Sequence, residues 1–195
     1  MLSAHSLHFI MELAGRLVYL DSPPTMALKR AEGDVVRPDR VRAIVKASSF
    51  GLTSELGIIG IGNDQYITNP FNQQWEKLAS GVGWYFDPAL LFDPQVGIEA
   101  ILTESEWSFG VEEEIEEQLH LRLHGLMPGE RIAPLTSGVI EAGQVEVDIL
   151  VGQQDSYVRR VHIVELESDP ENPTQWLIEF SGFDTIEEIQ PPLIP

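Results

Sequence analysis

Apolar and polar residues alternate along most of this chain, and a period of two predicts strands. In SLHFIMEL, Leu7, Phe9, Met11 and Leu13 share one face, and Ser6, His8 and Glu12 share the other, with Ile10 the exception. A helix through Leu7, Ile10, Met11 and Ala14 is the alternative, but the period-2 match is longer. Gly15 allows a turn before RLVYL, which the SPP at 22–24 ends because proline cannot donate to a ladder. Pro38 and Asp39 mark a turn between ALKRAEGDVV and RVRAIVKASS. In the second run Val41, Ala43, Val45 and Ala47 alternate with Arg40, Arg42 and Lys46, giving one buried and one wet face. LGIIGIG and QYIT read as a hairpin turning at Asn63-Asp64, and Asn69-Pro70 turns the chain again before WEKL.

The pattern changes at GWYFDPALLFDPQVGI. Each Asp-Pro step can set Asp at an N-cap and Pro at the first helical position, so Asp87 and Asp93 read as two helix starts. The second helix, with Val96, Ile98, Ala100, Ile101 and Leu102, is apolar on most sides and must be covered. Strand patterns then return in EWSFGVEEEIEEQ, HLRLHGL, VEVDILVG, YVRRVHIVELE and QWLIEFSGF, while GERIAPLTSGVIEAG reads as a short helix or a loop and PPLIP as an exposed tail. The sum is about ten strands and a central pair of short helices: an α+β domain on a large antiparallel sheet. No repeat, low-complexity segment or linker divides the chain, so 1–195 reads as one domain.

Charge narrows the partners. The 195 residues carry a net charge of −19 at pH 7, which argues against phosphate-driven nucleic-acid binding and against docking on anionic lipid. There is no cysteine, which excludes disulfides, thiolate zinc sites and thiol catalysis. No apolar run approaches the roughly 20 residues needed to span a bilayer, and MLSAHSLHFIMELAG lacks the basic start of a signal peptide.

Candidate chemistry is sparse. Gly57, Gly60 and Gly62 in GIIGIGND run into another strand rather than a helix, which speaks for strand bending over a dinucleotide loop. His120 and His124 stand on one strand face about 13 Å apart, too far to share an ion. EEEIEEQ reads as a solvated charge run. No nucleophile motif occurs, and no two of the 31 acids are singled out for hydrolysis. The expectation is a protein that is not an enzyme and has no metal, cofactor or catalytic residue. The aromatic segment then has two readings: a core plug built from Trp84, Tyr85, Phe86, Leu90, Leu91 and Phe92, or the wall of a cavity for an apolar ligand.

The order of AEGDVVRPDRV, IGNDQYITNPFNQQWEKL, FDPALLFDPQVGIEAIL, LHLRLHG, VEVDILV and IEFSGFD resembles the LppX/LprA/LprF/LprG lipoproteins, relatives in fold of the carriers LolA and LolB. The resemblance implies a half-barrel, a strongly curved antiparallel sheet with short helices covering its concave face and a hydrophobic cavity between them. It implies binding and carriage of lipid or acylated, lipid-linked glycan in the cell envelope, with an envelope transport protein as a further partner. On this basis Trp84, Phe86, Leu90, Leu91, Phe92, Ile98, Ile101 and Leu102 are the expected ligand-binding residues, and Phe9 and Met11 belong to the facing strand. Family precursors carry a signal peptide and a lipidated cysteine. The expected location is therefore extracytoplasmic if a signal and lipidated cysteine precede this sequence, with membrane association only through such an upstream lipid anchor. An interaction module whose cavity is filled by its own side chains is the alternative.

Overall fold

The structure is a computed structural model and describes residues 4–20, 24–69, 72–79, 95–115, 118–136, 138–140 and 142–194. Its strands are β1 (Ser6–Ala14), β2 (Val18–Tyr19), β3 (Ala27–Val36), β4 (Arg40–Ser49), β5 (Leu52–Ile61), β6 (Asp64–Thr68) and β7 (Trp75–Lys77), then β8 (Ser108–Phe109), β9 (Glu113–Ile115), β10 (Gln118–Pro128), β11 (Gln144–Gly152), β12 (Val158–Glu165) and β13 (Thr174–Ser181). One α-helix, α1 (Ile98–Glu104), occurs among the described residues. All thirteen strands join one antiparallel sheet in the order β7-β6-β5-β4-β3-β1-β13-β12-β11-β10-β8, with β2 beside β3 and β9 beside β10. Two meanders, β3 to β7 and β10 to β13, meet at β1, which pairs with β3 on one side and β13 on the other. Among the described residues the ends of the series do not pair with each other, so the described sheet is open.

Alternation sorts the side chains as the sequence predicts. Leu7, Phe9 and Met11 of β1, Val41, Ala43 and Val45 of β4, Val145, Val147 and Ile149 of β11, and Trp176, Ile178 and Phe180 of β13 all enter one core on what we term the inner face. Ile98 and Ile101 of α1 pack into it, as do Ile132, Leu135 and Ile140 from the segment after β10. That segment forms two 3-10 turns, Gly129–Arg131 and Ala133–Thr136, because Pro134 has no backbone N–H with which to continue an α-helix. On the outer face a smaller cluster of Val36, Ile59, Tyr66 and Ile189 is closed by the C-terminal segment, whose Ile189 carbonyl accepts a 2.7 Å hydrogen bond from Arg40 Nη1.

Three sequence expectations are corrected. The helix expected to start at Asp93 begins at Ile98 with Gly97 as its N-cap; residues 95–97 form a turn, and Gly97, extended at ψ −170°, is where the chain enters the helix. The acidic run yields only the short β8 and β9, both on β10, since consecutive glutamates offer nothing to bury and repel one another along an edge. The β5–β6 turn falls on Gly62-Asn63, with Ile61 paired to Asp64, because Gly62 supplies the left-handed backbone at φ +55°. The helix expected at Asp87 lies outside the described residues.

Trp176 is buried at the centre of the core, and its Nε1–H donates to Glu165 Oε1 at 2.8 Å. Burial pushes the Glu165 pKa above its ordinary 4.5, against the opposing pull of the Trp176 hydrogen bond and the charge of Arg16. Above pH 4.5 the unfolded chain releases this proton while the folded protein still holds it. The stability contributed by the protonated acid is therefore full below pH 4.5 and lost as pH rises through the folded value. Glu165→Gln keeps an acceptor without the charge, so urea midpoints should favour the variant progressively from pH 4 to pH 7. A gap between variant and parent that stays constant across this window would show that the carboxylate is not desolvated.

Candidate functional site

The inner face differs along its width. Across β13 and β12 it carries Trp176, Ile178, Phe180 and Ile163, whereas across β3, β4 and β5 it carries Ala31, Gly33, Val41, Ala43 and Gly60. One register row runs Phe9, Gly33, Ala43, Ile58, and the next runs Met11, Ala31, Val45, Leu56. Small side chains beside large ones leave space. A cavity of about 30 Å³ lies there, lined by Phe9, Met11, Ala31, Val41, Ala43 and Ile58 with Gly60 and Gln65.

Among the described residues Gln65 is the one polar side chain on this lining, and no titratable group borders it. Such a surface holds apolar atoms and offers no acid, base or nucleophile. Its volume suits roughly a water molecule or a methylene group, against several hundred Å³ for a typical ligand pocket. An acyl chain could enter only by displacing part of what fills the inner face.

Of the ligand-binding residues read from the sequence, Trp84, Phe86, Leu90, Leu91 and Phe92 lie outside the described residues. Ile98 and Ile101 are buried on α1, and Leu102 packs half-buried against the same core. None of these three lines the cavity, whereas Phe9 and Met11 do. Ala31, Val41, Ala43, Ile58, Gly60 and Gln65 are missed as site residues. The signal was present in RVRAIVKASS, where the buried positions alternate as small residues; their meaning depends on which strand stands opposite.

The outer face is charged and already paired. His8 Nδ1 and Arg42 Nη2 hold the two oxygens of Asp34 at 2.8 and 2.7 Å. Arg122 Nε donates to Asp148 at 3.0 Å, and Arg160 donates to Glu179. Burial alone would raise the Asp34 and Asp148 carboxyls, but hydrogen bonds from His8 and Arg42, and from Arg122, outweigh it and hold both below the ordinary carboxylate range. A groove of about 390 Å³ on this face is bordered by Glu12, Arg122, Asp148, Arg160 and His162 among others. Beside it, His124, Glu146 and Asp148 bring their ligand atoms within 4.8 Å of one another. Arg122 donates to the Asp148 oxygen nearest His124, so a cation placed there would sit beside a guanidinium. Sequence spacing could not reveal it, because it is assembled across β10 and β11.

The sequence profile of the LppX_LprAFG lipoprotein family matches residues 1–190. The fold is similar to the crystal structure of LprF from Mycobacterium bovis, with a TM-score of 0.74 at 13% identity over 98% of this chain and 90% of that one. It is also similar to the lipoprotein LppX of Mycobacterium tuberculosis, with a TM-score of 0.63 at 14% identity over 96% of this chain and 91% of that one. At such identities the likeness is one of fold. No curated protein sequence matches the chain.

Proposed function

We propose, from the premise that the chain belongs to the LppX_LprAFG lipoprotein family, that it binds a lipid or acylated glycolipid on its inner face and carries or presents it in the cell envelope. The observation that carries this reading is the patch of small apolar residues around Ala43, free of titratable groups, on a sheet whose other face holds paired charges. In this reading 1–195 is a single half-barrel domain. Trp84, Phe86, Leu90, Leu91 and Phe92 join Ile98, Ile101 and Leu102 of α1 as the cover, and cargo enters as cover and sheet part. Each buried methylene contributes about 0.8 kcal/mol, so a chain of some 14 supplies roughly 11 kcal/mol before ordering costs. No catalytic group is required. The location is extracytoplasmic, with membrane anchoring in any precursor that carries the family's lipidated cysteine. Among the described residues no helix is long and apolar enough to cross a membrane.

Organic extraction of the purified protein followed by mass spectrometry tests the reading, with a denatured and refolded sample as control. Near-stoichiometric lipid is expected from the parent. Ala43→Leu, which fills the cavity, should lower the recovered lipid several-fold, whereas Ile44→Thr on the opposite face should not. Absence of lipid, together with no uptake of an added fluorescent acyl ligand, would move the assignment to a second reading. That reading is a non-enzymatic envelope interaction module with a filled cavity, and the 30 Å³ volume favours it.

A further inference from the structure

The β4–β5 hairpin ends in a feature that folding alone does not explain. Ser49 pairs with Leu52, so Phe50-Gly51 forms a two-residue turn with φ of 50° and 81°. Such turns favour Asn-Gly, and a bulky side chain in the left-handed region is sterically disfavoured. The phenyl ring gains no packing in return: Phe50 is 93% exposed and Leu52 77% exposed. Both backbone and solvent disfavour phenylalanine here.

The tip also projects. Pairing of β3 with β4 stops at Ala27–Ser48, and pairing of β6 with β5 stops at Ile58–Ile67, so among the described residues no strand flanks the last turn of the hairpin. From Ala47 to Ser54 the sequence ASSFGLTS has no charge, in a chain with 31 acids. Lys46 and Glu55 bracket it and neutralise each other at 3.0 Å. Ser48, Ser49, Thr53 and Ser54 supply hydroxyls around the two apolar side chains. Tyr19, 44% exposed, stands two strands away in the row Tyr19–Ala27–Ser48.

We propose that this hairpin is a docking tip for a zwitterionic lipid bilayer, placing Phe50 and Leu52 among the outermost acyl carbons with the hydroxyls and Tyr19 at headgroup depth. An apolar tip ringed by neutral hydrogen-bonding groups suits the bilayer interface, where tyrosine is also enriched. The net charge of −19 selects against anionic lipid. The inference rests on the lipid-carrying reading, since docking would bring the inner face to a membrane that supplies or receives cargo.

The test is co-sedimentation of the full chain with phosphatidylcholine vesicles, comparing the parent with Phe50→Asn and with Phe50→Asn/Leu52→Ser. Vesicle affinity should fall about tenfold or more in the double variant, as expected when two apolar side chains leave the interface. Thermal unfolding of Phe50→Asn should occur at an equal or higher temperature, because Asn-Gly suits the turn; a loss of binding is then not a loss of fold. Unchanged vesicle binding in the double variant, no binding by the parent, or a change in oligomeric state on substitution would overturn the proposal, the last by assigning the tip to a second copy of the chain. A fluorescent fatty acid below its micellar concentration separates this proposal from the carrier reading. Equal uptake by parent and double variant is expected; no uptake by either, with tip-dependent vesicle binding retained, removes the cargo and keeps the tip.

Discussion

Replacing Trp176 with alanine is expected to lower the free energy of unfolding by about 3–5 kcal/mol. Trp176 heads the fully buried side chains by volume among the described residues. It lies between Leu13 of β1 and Ile163 of β12, at the seam that joins the two meanders. Truncation removes its apolar contacts, leaves a cavity that strands on both sides cannot collapse into, and strips the half-buried Glu165 of the hydrogen bond from Nε1. Total stabilities of domains are about 5–15 kcal/mol, so the variant should sit close to its unfolding threshold at room temperature. Trp176→Phe separates the contributions. It keeps most of the apolar surface and should cost about 1–3 kcal/mol, chiefly through the unpaired acid and the smaller ring. Urea denaturation monitored by circular dichroism reads both. A loss under about 1 kcal/mol for the alanine variant would mean that the two meanders do not depend on this seam.

The seam also shows what a sequence can and cannot disclose. Every long strand was legible, because β1, β3, β4, β11 and β13 each bury one face and alternation records it. The family was legible too, from the order of six segments between Ala31 and Asp184, and its profile spans 1–190. Pairing was not. That β1 lies between β3 and β13 depends on contacts between residues as far apart as His8 and Ser181, on which local periodicity is silent. For the same reason the Asp34 and Asp148 networks escaped notice: each carboxylate finds its arginine on a neighbouring strand. The start of α1 was misplaced because Asp-Pro is a sound helix opening wherever it occurs, and nothing local shows that residues 95–97 form a turn before the helix. Most of the cavity lining, Phe9 and Met11 excepted, escaped for a different reason. Large apolar residues mark burial in a sequence, whereas space is made by small ones.

Gly33 shares a register row with the cavity-lining Phe9, Ala43 and Ile58, and Gly33→Ala is expected to destabilise the protein by about 2–4 kcal/mol. An ordinary glycine in a strand behaves in the opposite way, since alanine restricts the unfolded chain and stabilises by about 0.4–1 kcal/mol where the backbone accepts it. Here it does not. A Cβ at position 33 would lie 2.1 Å from the Arg42 carbonyl oxygen and 2.6 Å from Ala43 Cα. Those are backbone atoms of β4, so no rotamer change relieves the overlap and the two strands must separate. Gly33 stands between Phe9 and Ala43 in the row that lines the cavity, so separation would alter the site together with the fold. The same absence of a side chain allows β3 and β4 to approach each other beside the cavity-lining Phe9 and Ala43, so the strand spacing and the apolar patch depend on one position. Denaturant midpoints give the stability change, and acyl-ligand uptake by the folded fraction gives the change in the site. A neutral or stabilising Gly33→Ala would show that β3 and β4 tolerate a wider spacing, and the link between close strand approach and the apolar patch would fail with it.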